Sequence, residues 1–134
     1  MSAYVDSSAL LKRYVEEKDS ADCEKILLCD ADWVTARHTW VEVLRAIALL
    51  HDGRERQRMD AAFRSDWTRL HIVELDEETC ERAADVARAH GTRTLDAFHL
   101  AAALRVGGPG FRFLTYDLRQ ARAGRALGLT VLGA

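Results

Sequence analysis

Short apolar runs alternate along this chain with longer stretches whose apolar residues recur at helical spacing. Five runs have the length and the alternating or β-branched character of strands, at residues 3–5, 33–35, 71–75, 111–115 and 129–132. Parallel neighbours in a sheet need a crossover connection, which is normally a helix. The alternation therefore predicts an α/β fold with a mostly parallel central sheet and helices on both faces.

The stretches between the strands predict helices, several of which have recognisable ends. Asp76 is placed to cap one helix that stops at Gly91, and Gly128 closes the last helix. At 134 residues the chain is expected to be one domain, residues 1–134, that buries roughly two thirds of its unfolded surface. The predicted helices cover residues 7–15, 20–29, 40–47, 59–67, 76–91, 95–107 and 118–127.

The composition is that of a soluble globular protein, with 49% hydrophobic and 30% charged residues. No stretch approaches the ~18 uncharged apolar residues of a membrane span, and the first residues do not form a signal peptide, which predicts a cytoplasmic protein. Three cysteines, Cys23, Cys29 and Cys80, lack C-x-x-C spacing. They favour buried free thiols over a disulfide framework or a structural zinc site.

The formal net charge of -2 does not indicate a nucleic-acid-binding protein, but sixteen of the nineteen basic residues are arginine, which suits bidentate phosphate contacts. Arg119, Arg122 and Arg125 recur every three residues in a segment without acids. This spacing alone favours a solvated helix face, and a local basic patch is the alternative.

Four acidic residues, Asp6, Glu42, Asp96 and Asp117, stand where strands or helical runs begin or end. Each has a structural explanation when taken singly. Asp6 and Asp117 can cap the helices that follow, Glu42 can form a capping box with Thr39, and Asp96 can favour the dipole of a first helical turn.

Taken together, the four acids indicate a metal site. Helices that follow parallel strands begin near the carboxyl edge of the sheet, so their first residues meet in one crevice. Clustered carboxylates repel one another unless a cation neutralises them. Oxygen ligands without histidine or cysteine partners favour Mg²⁺ or Mn²⁺, and the matching reaction is phosphodiester hydrolysis by metal-activated water.

Several segments resemble the PIN-domain nucleases, and more narrowly the VapC-type ribonuclease toxins of bacterial toxin–antitoxin pairs. The resemblance runs the whole length of the chain, and its most specific part is the R-T-L-D-A-F-H-L segment. The matching segments are Y-V-D-S-S-A-L at 4–10, V-E at 41–42, R-T-L-D-A-F-H-L-A-A-A at 93–103 and L-T-Y-D at 114–117.

The resemblance implies a PIN-like three-layer α/β/α fold and a Mg²⁺-dependent endoribonuclease that a cognate antitoxin holds inactive, commonly as a homodimer. It places Asp6 and Asp96 as principal metal ligands, with Glu42 and Asp117 completing the acidic pocket. Ser7 and Thr115 match positions that support the pocket by hydrogen bonding. Arginines near the acids are candidates for positioning the RNA backbone, namely Arg93, Arg119 and Arg122.

Other residues have both a functional and a structural interpretation. His99 lies one helical turn after Asp96 and could reach the acidic pocket, or it could be a packed, hydrogen-bonded histidine. Trp33, Trp40 and Trp67 could stack on bases, but Trp40 and Trp67 lie on apolar helical faces, which favours the core. The basic cluster at residues 54–58 favours a solvated helix start.

Two other functions fit parts of the pattern. A flavodoxin-like phospho-signalling domain also keeps carboxylates at strand ends, but it needs adjacent acids after the first strand and a late lysine. Here Asp6 is followed by two serines, and no lysine occurs beyond Lys25. A catalytically inactive PIN-like binding module is the other alternative, and the presence of all four acids argues against it.

Overall fold

In the computed structural model, which describes residues 2–134, five strands form one sheet whose neighbours are all parallel. The strands are β1 (Ala3–Val5), β2 (Trp33–Ala36), β3 (His71–Val73), β4 (Arg112–Thr115) and β5 (Thr130–Gly133). Their order across the sheet is β3-β2-β1-β4-β5. All five predicted strands are confirmed. The flavodoxin-like order is 2-1-3-4-5, so the signalling-domain alternative is wrong.

Seven helices connect the strands within the described part of the chain, as the pattern predicted. The first helix is shorter than expected because the chain after Leu11 tightens into i→i+3 hydrogen bonds, such as Lys12 N–H to Ala9 C=O at 3.2 Å. The helices are α1 (Ser7–Leu11), α2 (Ser20–Leu28), α3 (Thr39–Leu50), α4 (Gly53–Trp67), α5 (Glu77–His90), α6 (Thr94–Gly107) and α7 (Leu118–Ala126).

The helices cover both faces of the sheet and give the predicted three-layer α/β/α architecture. Side chains alternate along β1, so that Ala3 and Val5 pack against a core that includes Val43 and Phe63 from α3 and α4. Tyr4 points the other way, into a core built largely from α5 and α6. Both cores are apolar, and several buried polar side chains, among them Asp6 after β1 and Thr115 at the end of β4, lie at the carboxyl edge of the sheet.

The strand order reverses beside β1, which has β2 on one side and β4 on the other. Open α/β sheets bind their ligands at such a switch point, outside the carboxyl ends of the strands. Asp6 follows β1 directly, and its N–H donates to Leu114 C=O of β4 at 3.1 Å. The residues that leave β1 and β4 are therefore close neighbours.

Asp96 reaches this edge by a route that the strand–helix rule did not anticipate, because α6 follows another helix and not a strand. Arg105, near the end of α6, contacts Asp76 and Thr79 at the start of α5, at 2.6 and 2.8 Å. The two helices are therefore antiparallel, and α6 begins beside the end of α5. Asp96 lies in its first turn.

All three cysteines are free thiols, as predicted, but the prediction that they are buried is correct only for Cys23. Cys23 is buried and donates to Ala9 C=O, and burial raises the pKa of its thiol to about 11. Cys29 and Cys80 are exposed, because Cys29 ends α2 and Cys80 lies on the solvent side of α5.

Trp40 and Trp67 are packed against another aromatic side chain, as their positions on apolar helical faces predicted. Trp40 and Trp67 both lie against Phe63, with ring centroids 5.5 Å apart in each case. Trp33 is buried and donates its indole N–H to the backbone. None of the helices described in residues 2–134 has the length and apolar character to cross a bilayer.

Candidate active site

The four acidic residues singled out from the sequence line one open cavity of about 400 Å³. Asp6 comes from the end of β1, Glu42 from α3, Asp96 from α6 and Asp117 from the loop between β4 and α7. Residues up to 111 positions apart in the chain are therefore brought together. Asp6, Glu42 and Asp117 meet because they follow parallel strands, and Asp96 joins them through the antiparallel pairing of α5 and α6.

Asp6 is buried and fixed by several donors. Its Oδ1 accepts from Ala9 N–H at 3.0 Å, which caps α1, and from Ser8 Oγ at 2.7 Å. Burial raises the pKa of the Asp6 carboxyl, although the nearby His99 and the hydrogen bonds from Thr115 and Ser8 act in the opposite direction. The carboxylate form at this position therefore gains from any additional positive charge in the cavity.

Glu42 does not form the capping box predicted from the sequence. Thr39 Oγ1 lies 2.7 Å from Thr35 Oγ1, and α3 has no side-chain cap at its start. The Glu42 carboxylate points into the cavity, where Oε1 accepts from Ser7 Oγ at 2.9 Å and lies 2.7 Å from His99 Nε2. Charged and polar partners in the cavity replace the local backbone contact that a capping box would provide.

A buried hydrogen-bonded chain extends from Glu42 into the core. Ala36 N–H donates to Tyr4 Oη at 3.1 Å, and Tyr4 Oη lies 2.6 Å from His99 Nδ1. Burial raises the pKa of Tyr4, so the hydroxyl keeps its proton and can donate to Nδ1. His99 Nε2–H is then left to donate to Glu42, and every member of the chain is satisfied.

The His99 contact favours the ionised form of Glu42. Burial alone would raise the pKa of this carboxyl, but the hydrogen bonds from His99 and Ser7 lower it below its ordinary value. His99 is 1% exposed, so the prediction of a packed histidine and the prediction that it reaches the pocket are both correct.

A second histidine, His38, was not anticipated beside the acids. Its Nε2 lies 3.0 Å from Leu95 C=O, which can only accept, and 3.6 Å from Glu42 Oε1. Burial, followed by the neighbouring His99, lowers the pKa of His38 to about 4. Atoms of His38, Glu42 and His99 lie close enough to surround a metal ion. The nitrogens that face Glu42 act as donors, however, so the free ligand atoms of the cavity are carboxylate oxygens.

Asp96 and Asp117 complete the cavity. The pKa of Asp96 is raised by partial burial and then by the negative charge of Asp117, with smaller contributions from Glu42 and Asp6. Asp117 is exposed and caps α7, accepting from the N–H groups of Arg119 and Gln120 at 2.8 and 3.1 Å. The acids are thus near enough to oppose one another's ionisation.

Hydroxyl groups tie the acids to the backbone. Ser7 and Thr115, the two residues expected to support the pocket, both lie where they can do so. Ser7 Oγ donates to Glu42 Oε1, and Thr115 Oγ1 accepts from Asp117 N–H at 3.1 Å. Ser8 was missed, although it bonds Asp6 and accepts from Tyr116 N–H. Its place two residues after a capping aspartate was the available signal.

Arg45 also lines the cavity and was missed. It lies three residues after Glu42 on α3, a spacing that puts both on one side of a helix. Within residues 2–134 its guanidinium forms no ion pair, although the cavity contains four acids.

The three arginines proposed for RNA line a second cavity of about 400 Å³, beside the first. Arg93, Arg119 and Arg122 come from the start of α6 and from α7, and Asp96 lies in the walls of both cavities. Arg125, which shares their spacing, instead donates to Ala134 C=O at 2.5 Å. The arginine spacing on α7 favoured a solvated helix face, but Arg119 and Arg122 instead form part of a concave basic surface together with Arg93.

Comparison with known proteins agrees with this architecture. The family model described as PIN domain matches residues 3–126. Ribonuclease VapC45 of Mycobacterium tuberculosis (strain CDC 1551 / Oshkosh) is 34% identical over 137 residues, covering 98% of this chain and 94% of the relative.

Two solved structures share the fold at low sequence identity. One is Mycobacterium tuberculosis VapC20, described as a sarcin-ricin loop cleaving toxin, with a TM-score of 0.75, 18% identity and coverage of 92% of this chain and 95% of that one. The other is a toxin-antitoxin complex from Klebsiella pneumoniae, with a TM-score of 0.69, 16% identity and 87% coverage of both chains. With a matching family model over residues 3–126 and a full-length relative at 34% identity, this chain belongs to the PIN domain family.

Proposed function

We propose that this chain is a Mg²⁺-dependent endoribonuclease that acts as the toxin of a type II toxin–antitoxin system. The observation that carries the proposal is the meeting of Asp6, Glu42, Asp96 and Asp117 in one open cavity. The 34% identity to a protein named as a ribonuclease supports the choice of RNA as substrate.

The residues present fit a hard divalent cation. Their free ligand atoms are carboxylate oxygens, which Mg²⁺ and Mn²⁺ prefer. The pKa values of Asp6 and Asp96 are raised, chiefly by burial, so a bound cation would favour ionisation of these two carboxyl groups. A bound cation of this kind would supply a more acidic water and would stabilise negative charge on a phosphate.

The chain's own residues hold and orient the ligands. Asp6 and Asp96 are the proposed principal ligands, and Glu42 and Asp117 complete the set. Ser7 and His99 hold Glu42 in place by hydrogen bonds of 2.9 and 2.7 Å. Arg45 provides a positive charge within the same cavity, suited to a phosphate oxygen.

A cognate antitoxin is the proposed protein partner. The Klebsiella pneumoniae neighbour is a toxin-antitoxin complex, and the Mycobacterium tuberculosis relative carries a VapC name. Leu95 and Leu118, next to Asp96 and Asp117 in the chain, are 47% and 75% exposed, and an apolar antitoxin segment would cover them. A homodimer and a cytoplasmic location are part of the same proposal.

The test is RNA cleavage by the purified chain with and without Mg²⁺. We expect cleavage of total RNA that EDTA abolishes, and a loss of ~10²-fold or more in rate for Asp6→Asn and Asp96→Asn. Asp85→Asn, an exposed aspartate on α5, is the matched control and should cleave like the wild type. Expression should arrest growth, and Asp6→Asn should relieve the arrest.

Two results would contradict the proposal. Cleavage at wild-type rates by both Asp6→Asn and Asp96→Asn would mean that these carboxylates do not hold the catalytic ion. Absence of Mg²⁺ binding in calorimetry, together with absence of cleavage, would instead favour the inactive PIN-like binding module.

A further inference from the structure

The second cavity, which we call the arginine pocket, has Arg93, Arg119 and Arg122 in its walls together with Thr92, Gln120 and Asp96. Arg93 immediately precedes α6, and the other two arginines lie one turn apart on α7. Only Asp96 among the lining residues carries a negative charge, and it also faces the acidic cavity. The arginine pocket is therefore basic, in a chain whose net charge is -2.

The positive charge in the arginine pocket is not neutralised within the described residues. Arg93, Arg119 and Arg122 form no ion pair and no side-chain hydrogen bond across residues 2–134, whereas Arg37, Arg105 and Arg112 are each paired with a carboxylate. Arginine remains charged at every physiological pH. Three such groups around one concavity repel one another, and an anionic ligand would relieve that repulsion.

Polar groups around the arginine pocket are also incompletely satisfied. Thr92 Oγ1 and Gln120 Oε1 are buried in its wall without a hydrogen-bond partner in the described structure. Gln120 is 1% exposed, and its Nε2 donates to Asp96 C=O at 3.3 Å, which sets the orientation of the amide. Arg93 offers no side-chain cap to the start of α6, so the positive end of this helix adds to the basic surface.

We propose that the arginine pocket is a subsite for a phosphate of the RNA strand, belonging to a nucleotide next to the one cleaved. This inference rests on the proposed ribonuclease function. Asp96 lines both cavities, so the two lie side by side, and a strand whose scissile phosphate is bound at the acids would bring a neighbouring phosphate to the arginines. Arginine forks match phosphate geometry, and their charge offsets the repulsion between the polyanion and the four acids.

The test compares the double variant Arg119→Gln/Arg122→Gln with Arg56→Gln/Arg58→Gln. The control pair lies on the exposed start of α4, removes the same charge and lines no cavity that contains the acids. With a single-stranded oligoribonucleotide and Mg²⁺, we expect the pocket variant to raise KM about tenfold for each arginine and to lower kcat by less. The slope of log affinity against log salt should fall by ~0.7 for each phosphate that the variant no longer neutralises.

A second readout keeps the proposal testable if the chain does not cleave RNA. Binding of the same labelled oligoribonucleotide is measured by fluorescence anisotropy in EDTA, where we expect weaker binding by the pocket variant than by the control. Cleavage by the wild type with equal KM for the two double variants would overturn the subsite and leave the ribonuclease function standing. If the pocket variant loses as much or more affinity for an oligoglutamate peptide as for the oligoribonucleotide, the arginine pocket would instead be assigned to an acidic protein segment.

Discussion

His99 Nε2 lies 2.7 Å from Glu42 Oε1, and this contact joins a residue of the buried core to the acidic cavity. On its other side the imidazole meets the Tyr4 hydroxyl at 2.6 Å, which in turn accepts from Ala36 N–H. Glu42 is thus held through two intervening side chains by the backbone of β2. We regard His99 and Tyr4 as positioning residues, since neither needs to touch a substrate.

Replacing His99 should weaken metal binding more than it weakens the fold. In His99→Asn the shorter side chain cannot bridge Tyr4 and Glu42. Loss of such a supporting contact typically lowers metal affinity or activity about 10–100-fold, and we expect a reduction of about that size in Mg²⁺ affinity. Calorimetric titration with Mg²⁺ measures it. His51→Asn, which removes a partly buried histidine that is paired with Glu55 outside the acidic cavity, is the control. Unchanged Mg²⁺ affinity in His99→Asn would show that Glu42 is oriented without the imidazole.

Tyr4→Phe tests the inner end of the same chain. The variant leaves Ala36 N–H and His99 Nδ1 without a partner in a fully buried place, so we expect the free energy of unfolding to fall by about 1–3 kcal/mol. Urea denaturation measures this change. A double-mutant cycle with His99→Asn should give a non-zero coupling energy. Strictly additive changes in the free energy of unfolding would show that Tyr4 and His99 do not interact.

Asp6→Asn should stabilise the metal-free protein at neutral pH. Burial raises the folded-state pKa of Asp6 above its unfolded value, so its favourable contribution is fully present below the unfolded pKa and is lost as pH rises through the folded pKa. Asparagine resembles the protonated acid at every pH and keeps an oxygen for Ala9 N–H. In EDTA the variant should therefore exceed the wild type in stability at pH 7.5, and the difference should shrink on acidification.

Mg²⁺ should reverse that order. At a concentration ~100 times its Kd the ion would add about 2.7 kcal/mol to the stability of the wild type and much less to that of Asp6→Asn. Thermal melts at pH 7.5 and pH 5, with Mg²⁺ or with EDTA, separate the two effects. A wild type that gains no stability from Mg²⁺ would contradict the assignment of Asp6 as a ligand.

Gly133 should be less tolerant of alanine than Gly128. Both have positive φ, 93° and 86°, so both substitutions strain the backbone. A Cβ at Gly133 would lie 2.5 Å from Thr115 C=O, whereas one at Gly128 would meet nothing within 4 Å. We expect Gly133→Ala to be the more destabilising by about 1–3 kcal/mol in urea denaturation. Equal effects would mean that β5 can move away from Thr115 without penalty.

Thiol labelling should distinguish the three cysteines. Cys29 and Cys80 are exposed, whereas Cys23 is buried, with a pKa raised to about 11 by its burial. Ellman's reagent should therefore modify two thiols rapidly in the native protein and the third only after unfolding. Rapid reaction of all three would indicate that the contact between α1 and α2 opens easily.

The strands, the order of the helices and several helix caps followed from local patterns. Asp6, Asp76 and Asp117 cap helices as predicted, because a capping aspartate needs only the N–H groups two or three residues ahead. Glu42 does not cap, since Ser7 and His99 offer stronger partners from elsewhere in the fold.

What the sequence did not reveal depends on contacts between distant elements. The Tyr4–His99 contact joins residues 95 positions apart, and a contact over such a separation produces no periodic pattern in the sequence. The arginine pocket likewise needs α6 and α7 to lie side by side. Arg93, Arg119 and Arg122 were candidates for contacting RNA, but the regular spacing of Arg119, Arg122 and Arg125 did not show that the first two would share a cavity with Arg93.

Asp96 lies in the walls of both cavities, so the acidic cavity and the arginine pocket together form a binding surface that is negative at one end and positive at the other. A nucleic-acid strand has chemically distinct 5′ and 3′ ends, so a surface with this uneven charge would bind it in one direction only. After scission the fragment retained by the guanidinium groups would leave more slowly than the other. Departure of that one product would then set the pace of repeated turnover, and added salt would quicken it.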